Sequence, residues 1–280
     1  MTAPQRPSPG ARRRETDERA AAAADRAAVL RALHRPGDPL VLPNVWDAAS
    51  ARAVEAAGFP AVATSSAAVA EVLGHSDGEA TPVEEMLDAI ARIVRAVSTP
   101  VTADLERGYG MAPAELVERL FATGAVGCNL EDSVPGTGTL VDAGRQTDFI
   151  AEIRDAAREA GVDVVLNARI DTFIHGTGTP AERLAEAIRR ARLYVAAGAD
   201  CVFPIFVTEP DAIRELVQQA GGPVNILFVP ATPPLAELAA LGVARVSFGA
   251  GTHRAVQAHL AGMLTRIASG ADPYSRLEER

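Results

Sequence analysis

The chain has 280 residues, a formal net charge of −9, 48% hydrophobic residues and only 4% aromatic ones. That length allows one large α/β barrel or two small domains; the acidic balance argues against nucleic acid and anionic membrane as partners, and no apolar run reaches the length of a membrane span. All 27 basic residues are arginine, so Schiff-base chemistry, which needs a lysine amine, is closed to it.

Residues 1–25, rich in Pro, Arg and Ala, read as a disordered or loosely helical tail leading into a helix over Ala20–Leu33. They lack the apolar core of a secretory signal. Residues 26–280 read as one domain, in which short apolar runs alternate with longer amphipathic stretches. The pattern predicts strands at Leu40–Trp46, Ala61–Ser65, Val101–Glu106, Val126–Glu131, Val162–Ile170, Cys201–Ile205, Asn225–Val229 and Arg245–Phe248. Helices follow them at Ala48–Ala57, Pro82–Val97 (capped by Thr81), Pro113–Thr123, Gln146–Ala160, Ala181–Ala197, Pro210–Gln219, Pro234–Leu241 and His253–Ile267. Apolar runs without strict alternation suit strands buried on both faces, and eight βα units predict a (β/α)8 barrel. A doubly wound sheet is the rival; it would carry a Gly-rich phosphate turn after its first strand, and none is present. Cys128 and Cys201 sit inside apolar strands and read as inert buried thiols in a reducing cytoplasm.

In a barrel the C-terminal ends of all strands meet on one face. Asp104 and Glu106, where the third strand runs into Arg107-Gly108-Tyr109-Gly110, project to one side as hard oxygen donors suited to Mg²⁺ or Mn²⁺. Other strand ends supply Asn44 and Asp47, then Thr64, Ser65 and Ser66, then Asn129 and Glu131, with His75, Asp77 and His175 in nearby loops. Asp47, Ser65 and Ser66 have an alternative use as helix caps, Asn167 as partner to a neighbouring backbone group, and His253 as an ordinary first-turn residue. By the period-two rule Asn167, Arg169 and Asp171 share one strand face, and Arg169 amid acids reads as the clamp for a substrate carboxylate or phosphonate.

From Pro43 to Gly262 the chain resembles the isocitrate lyase/phosphoenolpyruvate mutase superfamily. The motifs are Pro-Asn-Val-Trp-Asp-Ala-Ala-Ser-Ala-Arg at 43–52, Thr-Ser-Ser at 64–66, Leu-Gly-His-Ser-Asp-Gly-Glu at 73–79, Ala-Asp-Leu-Glu-Arg-Gly-Tyr-Gly at 103–110, Asn-Leu-Glu-Asp at 129–132 and Asn-Ala-Arg-Ile-Asp at 167–171. The resemblance implies a barrel with Mg²⁺ held by Asp77, Asp104, Glu106 and Glu131, partly through water. Glu106 stands where aspartate is more usual. It also implies that Thr64-Ser65-Ser66 hold the substrate carboxylate through hydroxyls and backbone N–H groups, that Arg169 binds substrate, and that subunits pair by exchanging the last helix. A homodimer or homotetramer is therefore expected.

Family lyases carry a Lys-Lys/Arg-Cys-Gly-His loop after the strand-four acids, and the C–P branch uses a lysine and an asparagine there. Here residues 131–142 contain no cysteine, lysine, histidine or asparagine, though their Pro and alternating Gly-Thr still suggest a mobile lid. The expected function is a Mg²⁺-dependent lyase or decarboxylase that cleaves a C–C bond in a small 2-oxo or 2-hydroxy (di)carboxylate through an enolate-like intermediate. Tyr109, His75 and His175 are the candidate acids. The alternatives are a C–P mutase or phosphonopyruvate hydrolase and a non-catalytic metal-binding barrel.

Overall fold

The computed structural model describes the backbone of residues 9–274 and the side chains of residues 20–274; residues 1–8 of the expected tail and 275–280 at the C-terminus lie outside the described residues. Helix α1 (Pro9–Ala32) precedes a first strand that Pro43 splits into β1 (Leu40–Leu42) and β2 (Asn44–Val45). There follow α2 (Ala48–Ala56), β3 (Val62–Thr64), α3 (Ser66–Leu73), α4 (Val83–Ala96), β4 (Val101–Asp104), α5 (Pro113–Thr123) and β5 (Gly127–Glu131). Next come a hairpin of β6 (Ser133–Val134) and β7 (Thr139–Leu140), α6 (Ala143–Glu159), β8 (Val165–Ile170), α7 (Thr172–His175) and α8 (Pro180–Ala196). The chain ends with β9 (Cys201–Pro204), α9 (Pro210–Gln219), β10 (Asn225–Leu227), α10 (Leu235–Ala240), β11 (Arg245–Ser247) and α11 (Gly251–Ala268).

One parallel ladder runs β2-β3-β4-β5-β8-β9 and a second runs β1-β11-β10. A parallel bridge between Val202 and Val224 joins them on one side. On the other, Pro43 hands the first strand from β11 to β3, since its nitrogen has no hydrogen to donate and the ladder must break there. Eight strand positions close into a (β/α)8 barrel.

The core is aliphatic, as the scarcity of aromatics requires: Leu42, Ile90, Leu116, Leu130, Ile150 and Ile226 are all buried. Burying such a side chain contributes about 1.5–3 kcal/mol. Helix α1 lays Ala23, Ala27 and Leu30 onto that core. Its Arg31 donates Nε–H to Asp200 Oδ1 at 2.6 Å, while Arg154 holds the other oxygen of the same carboxylate at 2.5 Å.

His34, just past α1, is buried with Nδ1 2.9 Å from the Leu30 carbonyl and Nε2 unpartnered. Burial, reinforced by the Arg245 charge, lowers its pKa to about 4. The unfolded chain therefore binds the proton first. Stability present above pH 6.5 is lost as pH falls through 4, by about 3 kcal/mol for this group alone. Chemical denaturation at pH 7 and pH 4 should show that loss, and His34→Leu should flatten it.

Several boundaries differ from the sequence reading. Helix α7 was not expected, being too short to show a 3.6-residue period, whereas α3 is the short helix that the capping use of Ser65 allows, with Ser65 as its N-cap. Helix α6 starts at Ala143 rather than Gln146, because Asp142 accepts the Arg145 N–H at 3.1 Å and caps it. Thr81 does not cap α4: Pro82 takes that place without a side-chain bond, and Thr81 Oγ1 is buried and unpartnered. Asp47 does cap α2, in a reciprocal box with Ser50. No helix among the described residues is long and apolar enough to cross a membrane.

Candidate active site

Strand register assembles the rim. Asp104, Asn129 and Asn167 stand side by side on β4, β5 and β8, and one layer further out Glu131, Arg169 and Phe203 do the same on β5, β8 and β9. A cavity of about 410 Å³ opens over them. The arc from β3 to β8 gives it a polar lining that includes Ser65, Ser66, Asp77, Asp104, Asn129 and Arg169. The arc from β9 to β11 gives it Phe203, Phe206, Leu227, Phe228 and Phe248.

Asp104 is fixed by α3. Its Oδ2 accepts the Ser66 N–H at 3.0 Å and the Ser66 hydroxyl at 2.8 Å, and that hydroxyl lies 3.5 Å from Asp77 Oδ1. Burial, and then the charge on Asp104, holds Asp77 above the usual carboxylate range. Among the described residues no three His, Cys, Asp or Glu side chains form a direct metal-ligand group. Two carboxylates facing a cavity, completed by water, nonetheless match how Mg²⁺ is ordinarily held, so Asp77 and Asp104 fit that ion.

The other two expected metal acids are engaged elsewhere and do not line the cavity. Glu106 accepts the Glu79 N–H at 2.6 Å and the Tyr109 hydroxyl at 2.5 Å, while Glu79 accepts the Tyr109 N–H at 2.6 Å in return. All three residues have left-handed backbone, with φ of 59° at Glu79, 51° at Glu106 and 54° at Tyr109. Such strain persists only where the surroundings over-determine it. Gly108 between them must be glycine: its φ is 99° and a Cβ there would meet Leu116 Cδ1 at 2.9 Å. Burial, opposed by the Tyr109 hydroxyl and joined by the charges of Asp104 and Asp77, lifts Glu106 to about 7.

Glu131 is bonded to Arg169, Oε2 to Nη1 at 2.6 Å. Asp171 grips the same guanidinium through Nε at 2.6 Å and Nη2 at 3.3 Å. The buried arginine thus stays charged, and burial raises Glu131 above the usual carboxylate range against its pull. Asp171 is in turn braced by the Ser133 hydroxyl at 2.5 Å and donates its N–H to Asp132. Asp132 is held by Arg190 at 2.9 Å and the Tyr194 hydroxyl at 2.7 Å, so the base of the expected lid is anchored and its tip is the β6–β7 hairpin.

Of the expected substrate ligands, Ser65, Ser66 and Arg169 line the cavity. Thr64 is fully buried and its Oγ1 accepts the Asp104 N–H at 2.8 Å; Asn167 is buried and donates to Asn129 Oδ1 at 2.8 Å. The backbone N–H groups of Ser65 and Ser66 are already spent on Val45 O and Asp104, because Ser65 is the N-cap of α3. None of the three candidate acids lines the cavity. Tyr109 turns to Glu106, His75 lies 3.3 Å from Glu85, and His175 stands against Gly138 of the lid. His253 is structural, edge-on to Trp46 with ring centroids 4.7 Å apart. Arg254, which follows the eighth strand, also lines the cavity, and the phenylalanines of the lining escaped sequence reasoning. Their one signal was position: four of the chain's eight phenylalanines fall at or just beyond the ends of three consecutive strands.

A parallel barrel with paired acids and a carboxylate-gripped arginine at its C-terminal rim defines a class of enzymes acting on small anionic molecules. The phosphoenolpyruvate phosphomutase family profile matches residues 30–268. The chain belongs to that family, within the isocitrate lyase/phosphoenolpyruvate mutase superfamily, whose members are lyases and mutases. It is 30% identical over 257 residues to a phosphoenolpyruvate phosphomutase of Streptomyces hygroscopicus, covering 86% of this chain and 80% of that one. A crystal structure from Burkholderia cenocepacia J2315, provisionally described as a phosphonomutase, superposes with a TM-score of 0.82 at 45% identity, covering 86% of this chain and 99% of the other. A 2,3-dimethylmalate lyase superposes with a TM-score of 0.75 at 31% identity, covering 88% of each chain.

Proposed function

We propose that this protein is a Mg²⁺-dependent lyase that cleaves a C–C bond in a small 2-oxo or 2-hydroxy carboxylate or dicarboxylate, leaving an enolate-like anion. The observation that carries this reading is the pairing in one cavity of two carboxylates, Asp77 and Asp104, with a guanidinium already fixed by Glu131 and Asp171. Asp77 and Asp104 would hold the ion; when bound it supplies a Lewis acid for the substrate's C2 oxygen. Ser66 holds Asp104 in place. The substrate carboxylate is received by the Ser65 hydroxyl, whose oxygen accepts the Ala68 N–H while its own proton is free, and by the Ala67 N–H in the first turn of α3, for which no partner is found among the described residues. Arg169 binds the anion as charge develops, and its rigid mount means little reorganisation accompanies the reaction. No candidate acid reaches the cavity, so we assign the final proton to water.

Pyruvate-forming turnover of oxaloacetate or 2-alkylmalates, abolished by EDTA, is the expected result. Turnover of phosphonopyruvate alone would instead establish C–P chemistry, and failure of Mg²⁺ titration would leave a non-catalytic barrel. Helix α11 supports an oligomer: only His253 of it is buried, while Val256, Leu260, Leu264 and Ile267 form an exposed apolar stripe. Light scattering should give a dimer or tetramer, and Leu260→Glu should dissociate it; a monomer at micromolar concentration would overturn this. Two free, fully buried cysteines suit the cytoplasm.

A further inference from the structure

The phenylalanines are the feature that metal and anion chemistry leave unexplained. Aromatics make up 4% of the chain, yet four of its eight phenylalanines, Phe203, Phe206, Phe228 and Phe248, line this one cavity. They come from the ends of β9, β10 and β11, across the barrel mouth from Asp77 and Asp104. Phe228 and Phe248 pack against each other with ring centroids 5.5 Å apart. Phe203 and Leu227 are buried beneath, forming with Ile205 an apolar cluster separate from the main core.

Phe206 is the most telling. It is half exposed at the cavity and has a φ of 64°, a backbone region that bulky side chains rarely adopt. Glycine would relieve that strain, and an exposed aromatic gains nothing from burial there. Strained residues concentrate where a ligand is gripped. Among the described residues the cavity is lined by two cations, Arg169, which Glu131 and Asp171 already hold, and Arg254, which is exposed at its rim.

Resting on the proposed function above, we infer that the substrate is a 2-hydroxy acid whose C2 carries, beside the carboxyl-bearing carbon released as the enolate, an apolar substituent, a branched alkyl or aryl group seated on this phenylalanine wall. As the C2–C3 bond breaks, the C2 hydroxyl loses its proton and becomes the carbonyl of a 2-oxo acid that keeps this group, and the released enolate takes its proton from water. The acid end meets Asp77, Asp104 and Arg169. The apolar end meets Phe203, Phe206, Phe228 and Phe248. A second carboxylate on that end would lose its hydration against four rings.

The test is calorimetric titration of the full chain with Mg²⁺ and four probes: oxalate, which reports the acid end alone, 2-oxoglutarate, 4-methyl-2-oxopentanoate and phenylpyruvate. The two apolar acids should bind about 10- to 100-fold more tightly than 2-oxoglutarate, the gain expected from burying one apolar side chain's worth of surface. Phe206→Gly and Phe228→Ala should each remove about tenfold of that preference and leave oxalate affinity unchanged. Phe206→Gly suits its backbone conformation, so a loss there is not a folding defect. Tighter binding of 2-oxoglutarate would overturn the inference and direct the second carboxylate to Arg254, while leaving the proposed function standing. Oxalate failing to bind while phenylpyruvate binds in a Phe228-dependent way would overturn the metal chelate and keep the apolar subsite. No binding of any probe would overturn both.

Discussion

Asp104→Ala should abolish Mg²⁺ binding and lower kcat/KM by on the order of 1,000-fold, the loss of several kcal/mol of charge stabilisation. Thermal stability should hold or rise. Asp104 repels Asp77 and Glu106, raising the pKa of both, so its removal relieves charge as well as deleting two bonds from Ser66. Those donors sit at the cavity and can turn to water, each bond being worth about 1 kcal/mol. Asp104→Asn separates geometry from charge, since it keeps an acceptor for Ser66 without the negative charge. Unchanged Mg²⁺ affinity in the alanine variant would refute the metal assignment. A large fall in melting temperature would mean that Asp104 is a structural residue.

Arg169→Ala should lower kcat/KM about 100-fold or more, with kcat falling as well as KM rising, because the guanidinium acts on charge that develops only as the bond breaks. It should also destabilise the fold by about 3–5 kcal/mol, since Glu131 and Asp171 would remain buried without their counter-charge. Arg169→Lys should recover part of the stability and little of the rate: one ammonium cannot hold Asp171 through two nitrogens and still reach Glu131. Cys128→Ser and Cys201→Ser are the contrast. Burial pushes both thiols up to about 12, and neither lines the cavity, so their substitution should affect packing and not turnover. Cysteine variants that stop turnover while Arg169→Ala spares it would reverse this division of labour.

The barrel frame was legible because apolar runs of strand length and amphipathic helices alternate eight times. Asp104 and Arg169 were legible because a charge at the end of an apolar strand has little structural use. What hid was of two kinds. Glu106 and Glu131 carry the chemistry of ligands, but which way a carboxylate turns depends on neighbours far along the chain: Glu79 is 27 residues from Glu106, and Arg169 is 38 from Glu131. The phenylalanine wall hid for the opposite reason. An apolar residue ending a strand looks the same whether it faces the core or a ligand, and only closure of the sheet tells the two apart.

The clasp among Glu79, Glu106 and Tyr109 has a consequence for anyone moving this rim to another scaffold. Each residue occupies a backbone conformation where glycine is ordinarily the safe replacement, yet glycine at 79 or 106 would delete a carboxylate that holds the opposite loop. The spacing of Asp77 and Asp104 is therefore a property of neither loop alone; it is set by a fastening next to them that does not line the cavity. The smallest portable unit is both loops together, residues 74–79 with residues 104–110, carried with the three non-glycine left-handed positions intact. Grafting the two aspartates by themselves would transfer the charges and lose the distance between them.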